Sequence, residues 1–198
     1  MPTISIPRLK LSLGQVAWAI CDGRPPDPVT IDRLRYLRQL GVPFEREGEG
    51  SGNRRTYGFD QLIECALAMY AIRVRYKPSE VALVQVAERK ALRRRARKIF
   101  SGLKEGELTA PWIKSRGAVR EVLQDEQYIR LHARFSQTPG TFETVSWAEL
   151  DASPRLQFSD LIERYPDGNT RPLVPLKRVM LPAVAWALEA PETRPGRK

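Results

Sequence analysis

The sequence predicts a mainly α-helical fold with a small β component, in which a helical first half precedes an α+β C-terminal region. Apolar residues recur at helical spacing in several segments before residue 101. A Gly-rich, charged segment interrupts these helices over residues 42–57, which favours a hairpin. After residue 137 the patterns are short and mixed, as in a region of small helices and strands.

The first predicted helix spans about residues 11–21. Ser12 is a suitable N-cap, and the apolar residues that follow it form one face. Residues 22–28 are predicted to form a loop because prolines there remove backbone donors and disfavour a regular helix.

The second predicted helix spans about residues 30–40. Thr30 can cap its start, and Gly41 with Pro43 ends it. Leucines form its apolar stripe, and basic residues occupy the other faces. The residues off the stripe are Arg33, Arg35, Tyr36 and Arg38. A short helix with three arginines on its polar faces suits a phosphate-lined groove.

The next segments are predicted as a hairpin and two further helices. The hairpin has strands near residues 43–46 and 54–57. A helix then spans residues 59–75. After a break, Pro78 fits the first turn of another helix, which runs from about residue 79 past residue 90 and continues through residue 100.

The segment 89–100 is strongly basic, with seven basic side chains among twelve residues. One interpretation is a solvated helical face, with Leu92, Ala96, Ile99 and Phe100 packed inward. The other is a second phosphate or RNA contact. The basic side chains assigned to that second contact are Arg93, Arg94 and Arg97.

The second half is predicted to mix helices and strands. In chain order the predictions are an amphipathic helix at 111–135, a strand at 141–147, a helical turn at 159–165, an edge strand at 173–181, a short helix at 183–190 and a disordered tail at 191–198.

The charge of the chain is concentrated in its first half. Lys plus Arg is 33 and Asp plus Glu is 23, for a net charge of +10. Residues 1–104 hold 20 basic and 10 acidic side chains, whereas residues 105–198 hold 13 of each. An excess confined to one half favours a polyanionic partner, usually nucleic acid.

The sequence gives little support to catalysis. His132, predicted to lie on a helix, is the only histidine, and no zinc-ligand spacing or phosphate-binding glycine motif is present. We therefore predict no enzyme activity, no metal and no cofactor. Cys21 and Cys65 have the surroundings of small core residues. We also expect no membrane segment and a cytoplasmic, nucleoid-associated location.

The predicted order of helix, helix, hairpin, helix and helix is that of a winged helix-turn-helix. Four motifs in this order make residues 11–90 resemble the DNA-binding domain of MerR-type regulators. The motifs are Leu13–Ala17, Thr30–Pro43, Asn53–Leu62 and Ser79–Val81. The loop between the first two helices is longer than the tight turn of that family, and nothing after residue 90 resembles its dimerisation helix.

The resemblance implies a mode of DNA binding. The helix at 30–40 would enter the major groove, with Arg33 closest to the base edges, and the wing at 43–57 would contact the backbone or the minor groove. Tyr57 would donate a hydrogen bond to a phosphate. The implied contacts are Thr30, Arg33, Arg35, Tyr36, Arg38, Arg54, Arg55 and Tyr57.

We predict a DNA-binding domain at 1–104 and a dimerisation or effector region at 105–190. The expected partners are double-stranded DNA, a second copy of the chain and a small-molecule or protein effector. Three alternatives remain open. One is an excisionase-like or nucleoid architectural protein. The second is an RNA-binding protein that uses residues 89–98. The third is a protein-interaction adaptor that uses residues 111–190.

Overall fold

The computed structural model describes residues 5–44, 55–103, 108, 127–132, 141–146 and 174–192. Their fold is mainly helical with a small β component, as predicted. The elements are the helices α1 (Leu13–Ile20), α2 (Pro28–Gln39), α3 (Phe59–Arg73), α4 (Pro78–Ala87), α5 (Arg89–Ser101) and α6 (Leu176–Leu188), and the strands β1 (Gln127–His132), β2 (Thr141–Ser146) and β3 (Val174–Pro175).

Capping side chains determine where the first two helices begin. The prediction of Ser12 as the cap of α1 is confirmed, since its hydroxyl accepts a hydrogen bond from the Gln15 backbone N–H at 3.3 Å. The prediction of Thr30 as the cap of α2 is wrong. Asp27 caps that helix, and Pro28 occupies its first position, where a backbone N–H is not needed.

The end of α2 agrees with the prediction. The chain leaves the helix through Gly41, whose φ of 94° lies in the left-handed region that favours glycine. Pro43 follows after a cis Val42–Pro43 peptide bond. The helix therefore ends at Gln39, four residues before the start of the segment 43–57 that was predicted to form the wing.

The predicted hairpin is not found in the residues that are described. Residues 43–44 and 55–56 are not in strands, and residues 45–54 lie outside the described part. Tyr57 pairs instead with Leu11, through backbone hydrogen bonds of 2.8 and 2.9 Å. The segment before α1 therefore supplies the strand-like partner that we had assigned to residues 43–46.

The helices after the wing segment follow the predicted order. Pro78 stands at the start of α4, as expected. The continuous helix that we predicted through residue 100 is interrupted at Glu88, which has φ −102° and ψ 14° and separates α4 from α5. The basic segment is consequently a helix of its own.

Part of the predicted helix at 111–135 is a strand. Residues 109–126 and 133–135 lie outside the described part, but Gln127–His132 forms β1, the central strand of an antiparallel sheet with order β2-β1-β3. His132 therefore lies on a strand and not on a helix. Ile129 is buried, which agrees with a β1 that packs one face inward. The predicted strand at 141–147 is confirmed as β2.

The predicted strand at 173–181 is largely wrong. Only Val174–Pro175 is extended, at the edge of the sheet, where a proline is tolerated. Helix α6 begins at Leu176, earlier than the helix predicted at 183–190, and contains Pro182. Leu176, Met180 and Val184 recur every four residues and are all buried, which explains why a helix forms here. The predicted turn at 159–165 lies outside the described part, as do residues 193–198 of the tail.

Helix α6 packs against α1 and α3 in the same hydrophobic core as the first half of the chain. Trp186 on α6 meets Trp18 on α1 edge to face, with ring centroids 5.5 Å apart. The Gln15 side chain donates a hydrogen bond of 3.0 Å to the Pro191 carbonyl. The segment 176–188, which we had assigned to a separate C-terminal region, therefore completes the core around α1 and α3.

The packing of Trp186 predicts a large effect for one glycine. Gly23 has a φ of 72°, and a Cβ atom built there would lie 2.4 Å from the Trp186 ring. Gly23→Ala is therefore expected to lower the free energy of unfolding by about 2–4 kcal/mol, through backbone strain and overpacking. Urea denaturation of the full chain measures this difference.

Gly14 provides a matched control. It lies in the first turn of α1, is exposed, and its added Cβ would meet only the Ser12 hydroxyl oxygen, at 3.9 Å. Gly14→Ala is expected to leave the free energy of unfolding unchanged or to raise it by up to about 1 kcal/mol. Equal effects of the two substitutions would contradict the contact between residue 23 and Trp186.

Candidate nucleic-acid interface

The surface of α2 outside its buried stripe carries exposed cationic and aromatic side chains. These are Arg33, Arg35, Tyr36 and Arg38. The opposite face is buried through Leu34 and Leu37, which pack into the core. The helical spacing predicted from sequence thus separates an apolar face that anchors the helix from a polar face that is open to a ligand.

The anchoring of α2 makes this face a rigid platform. Helices α1, α3 and α4 all contact α2, so the helix is held from several sides. The exposed arginines lie in its second and third turns, away from both caps. An interface on a helix held in this way presents its side chains in a fixed arrangement, which sequence-specific recognition needs.

Arg35 forms an ion pair with Asp32 on the same face, with its Nη1 atom 3.1 Å from the Asp32 carboxylate. The two side chains are 60% and 70% exposed. An exposed pair at this spacing contributes little stability and exchanges readily for another anion. Arg35 is therefore available to a phosphate at small cost.

Thr30 is buried in the first turn of α2, so its side chain does not contribute to the exposed face. Its backbone N–H donates to Asp27 Oδ1 at 2.6 Å, and its hydroxyl donates to Oδ2 at 3.2 Å. Both hydrogen bonds lower the pKa of Asp27 below its ordinary value, and the bond from the backbone N–H has the larger effect. The expectation that Thr30 contacts DNA is corrected, because its hydroxyl is used inside the protein.

This cap predicts a pH dependence. The hydrogen bonds of the folded state favour the ionised form of Asp27. The stabilisation of the fold by this charge is therefore fully present above the ordinary pKa of an unfolded Asp, about 4. It is lost as the pH falls through the lower pKa of the folded state. Asp27→Asn keeps a capping oxygen without the charge, so it should be less stable than the natural chain at pH 7 and equally stable at strongly acidic pH.

Urea denaturation of the two proteins at pH 7 and pH 3 measures this convergence. Asp27→Ala serves as the comparison, because it removes the capping oxygen and should stay less stable than Asp27→Asn at both values. A stability difference between the natural chain and Asp27→Asn that does not change with pH would show that the Asp27 charge is not coupled to folding.

Tyr57 is part of the core and not of the surface. Its side chain is 2% exposed, and its hydroxyl is buried without a hydrogen bond of good geometry. Burial is the main cause that raises the pKa of Tyr57. We expected this hydroxyl to reach a phosphate, and that expectation is corrected, since the residue is buried and its ring meets Phe44 edge to face.

Arg55 lies near the C-terminal end of the wing segment, residues 43–57. Its guanidinium carbon lies 5.1 Å from the centroid of the Phe44 ring, a cation–π contact that joins the two ends of the wing segment. The Phe44 ring also meets the Tyr57 ring edge to face, with the ring centroids 5.0 Å apart. Arg54, the other predicted wing contact, lies outside the described residues.

A buried ion cluster connects α3 and α5 to the end of α2. The Glu64 carboxylate accepts hydrogen bonds from Arg89 Nε at 3.1 Å and from Arg93 Nε at 2.6 Å. Arg89 also donates to the Gly41 carbonyl, and Arg93 donates to the Pro43 carbonyl at 3.4 Å. The cluster therefore holds the residues that link α2 to the wing segment.

Burial defines the electrostatics of this cluster. The side chain of Glu64 is 1% exposed, and those of Arg89 and Arg93 are 9% and 29% exposed. Burial raises the pKa of Glu64, and the two guanidinium groups oppose that effect. Our sequence reasoning missed Glu64. The available signal was a single carboxylate in the middle of the apolar run 62–69, a position that requires a charged partner.

The predicted basic patch on α5 is therefore divided between two faces. Arg93 is bound to Glu64, and Arg97 is bound through two nitrogens to the Asp60 carboxylate, which raises the pKa of Arg97. Both cations therefore have acidic partners within the protein, and their assignment to a secondary phosphate contact stays a prediction. Arg94 remains exposed. It lies in one exposed row with Lys90 and Lys98, while Leu92, Ala96, Ile99 and Phe100 are buried, as the packing interpretation expected.

The described residues offer little for other chemistry. No cluster of His, Cys, Asp and Glu among them has the geometry to hold a metal ion. Cys21 and Cys65 are both free thiols, and burial raises the pKa of Cys65 above its ordinary range. Within the same residues, no helix combines the length and hydrophobicity that would be required to cross a bilayer.

No protein-family model, curated protein or solved structure matches this chain significantly. The resemblance to MerR-type regulators therefore rests on the sequence motifs. The contacts described above define a candidate nucleic-acid interface. It consists of helix α2 with its exposed arginines and of Arg55, which contacts Phe44 in the wing segment.

Proposed function

We propose that this protein is a DNA-binding transcriptional regulator of the winged helix-turn-helix class, which uses α2 as its recognition helix in the major groove. The observation that carries the proposal is the exposed surface of α2, where Arg35 lies opposite the buried leucine stripe and Arg33 and Arg38 border that stripe on either side. Guanidinium groups bind guanine edges and phosphates with two parallel hydrogen bonds, so a row of them on one helix suits duplex DNA.

The charge distribution supports the same proposal. The whole net charge of +10 lies in residues 1–104, which include α2 and α5. Neutralisation of phosphates by such a surface releases counterions and supplies much of the affinity for DNA. The exposed row of Lys90, Arg94 and Lys98 on α5 adds cationic surface outside α2, and it would contact backbone phosphates without reading sequence.

We assign different roles to the proposed contact residues. Arg33, in the first half of α2, would read base edges, while Arg35, Tyr36 and Arg38 would bind phosphates. Arg55 would place the wing against the backbone, together with Arg54. Dimeric binding to a pseudo-palindrome and control by an effector, both through the second half of the chain, are parts of the proposal that follow from the class.

The proposal is tested by selection of bound fragments from random and genomic DNA, followed by titration of the selected duplex at several salt concentrations. We expect one enriched motif, with an affinity that falls steeply as the salt concentration rises. An architectural protein would bind duplex DNA without an enriched motif, and an RNA-binding protein would prefer RNA at equal salt. Absence of saturable binding to any duplex at low salt would refute DNA binding.

A further inference from the structure

We draw no further inference here: the strongest candidate, the exposed apolar pair Leu83 and Val86 on the surface of helix α4, carries no proposal because nothing in the described part of the chain shows what covers it.

Discussion

Replacement of Glu64 by alanine is expected to lower the free energy of unfolding by about 3–5 kcal/mol. The substitution removes a carboxylate that is 1% exposed and leaves Arg89 and Arg93 without their shared partner. Charged groups that lose their partner in the interior pay the full cost of desolvation. Because small domains have a total stability of about 5–15 kcal/mol, a loss of this size is large and still measurable by urea denaturation.

The matched control is an ion pair on the surface. Asp32→Ala removes the partner of Arg35, where both side chains are more than half exposed, and should cost at most about 1 kcal/mol. Replacement of all three members of the buried cluster by apolar residues, Glu64→Leu with Arg89→Met and Arg93→Met, should cost less than Glu64→Ala alone. If Glu64→Ala costs no more than Asp32→Ala, the cluster does not stabilise the fold.

Glu64→Gln separates charge from hydrogen bonding in the same cluster. It retains one acceptor oxygen and should fall between the natural chain and Glu64→Ala. If Glu64→Ala does not fold, comparison of Glu64→Gln with Asp32→Ala gives the same test with a smaller perturbation.

Arg33→Ala is expected to weaken binding to the selected DNA motif by about 5- to 150-fold, which corresponds to about 1–3 kcal/mol for one bidentate base contact. Binding to unrelated duplex should change far less, because the proposed contact reads a base. Arg38→Ala should instead weaken both kinds of binding by similar factors and reduce the salt dependence by about one phosphate contact. Equilibrium titration of both duplexes at several salt concentrations measures these differences.

Gln39→Ala is the control in the same helix. Gln39 is exposed, uncharged and adjacent to Arg38, so this substitution changes the surface of α2 without removal of a cation. It should leave both affinities nearly unchanged, and all three variants should keep the unfolding temperature of the natural chain. If Arg33→Ala and Arg38→Ala bind as tightly as Gln39→Ala, α2 is not the recognition helix.

The helices of the first half could be predicted because local signals agree with their packing. Ser12 followed by Gln15 forms a capping box, Gly41 ends α2, and the leucine stripe of α2 faces the core. The start of α2 was misplaced because two capping residues, Asp27 and Thr30, stand three apart, and the proline between them is permitted at the first helical position.

The errors in the second half have a tertiary origin. Segment 127–132 contains apolar residues that satisfy a helical and an alternating pattern equally well, and the pairing with β2 decides between them. Leu176–Leu188 was predicted as an edge strand followed by a short helix, and its buried face, which packs on α1 and α3, makes it one helix. No local pattern contains that information.

For the candidate site, the sequence alone predicted the exposed arginines of α2. It did not predict the acidic side chains that bind two arginines of α5. Arg93 and Arg97 were predicted as phosphate contacts on a basic helix, and they are bound by Glu64 and Asp60, which lie 29 and 37 residues earlier in the chain. Tyr57 is likewise paired through its backbone with Leu11, which is distant from it in the sequence. Pairings between distant segments thus decide which charges are left for a partner.

The position of α6 has a consequence for how the chain is assembled during synthesis. Residues 21–175 separate the two tryptophan-bearing helices, so α1 leaves the ribosome long before the helix that covers it. Until α6 emerges, the apolar surfaces of α1 and α3 that it covers are open to water and to other chains. The nascent segment that precedes α6 is consequently an incomplete folding unit until this long-range contact forms.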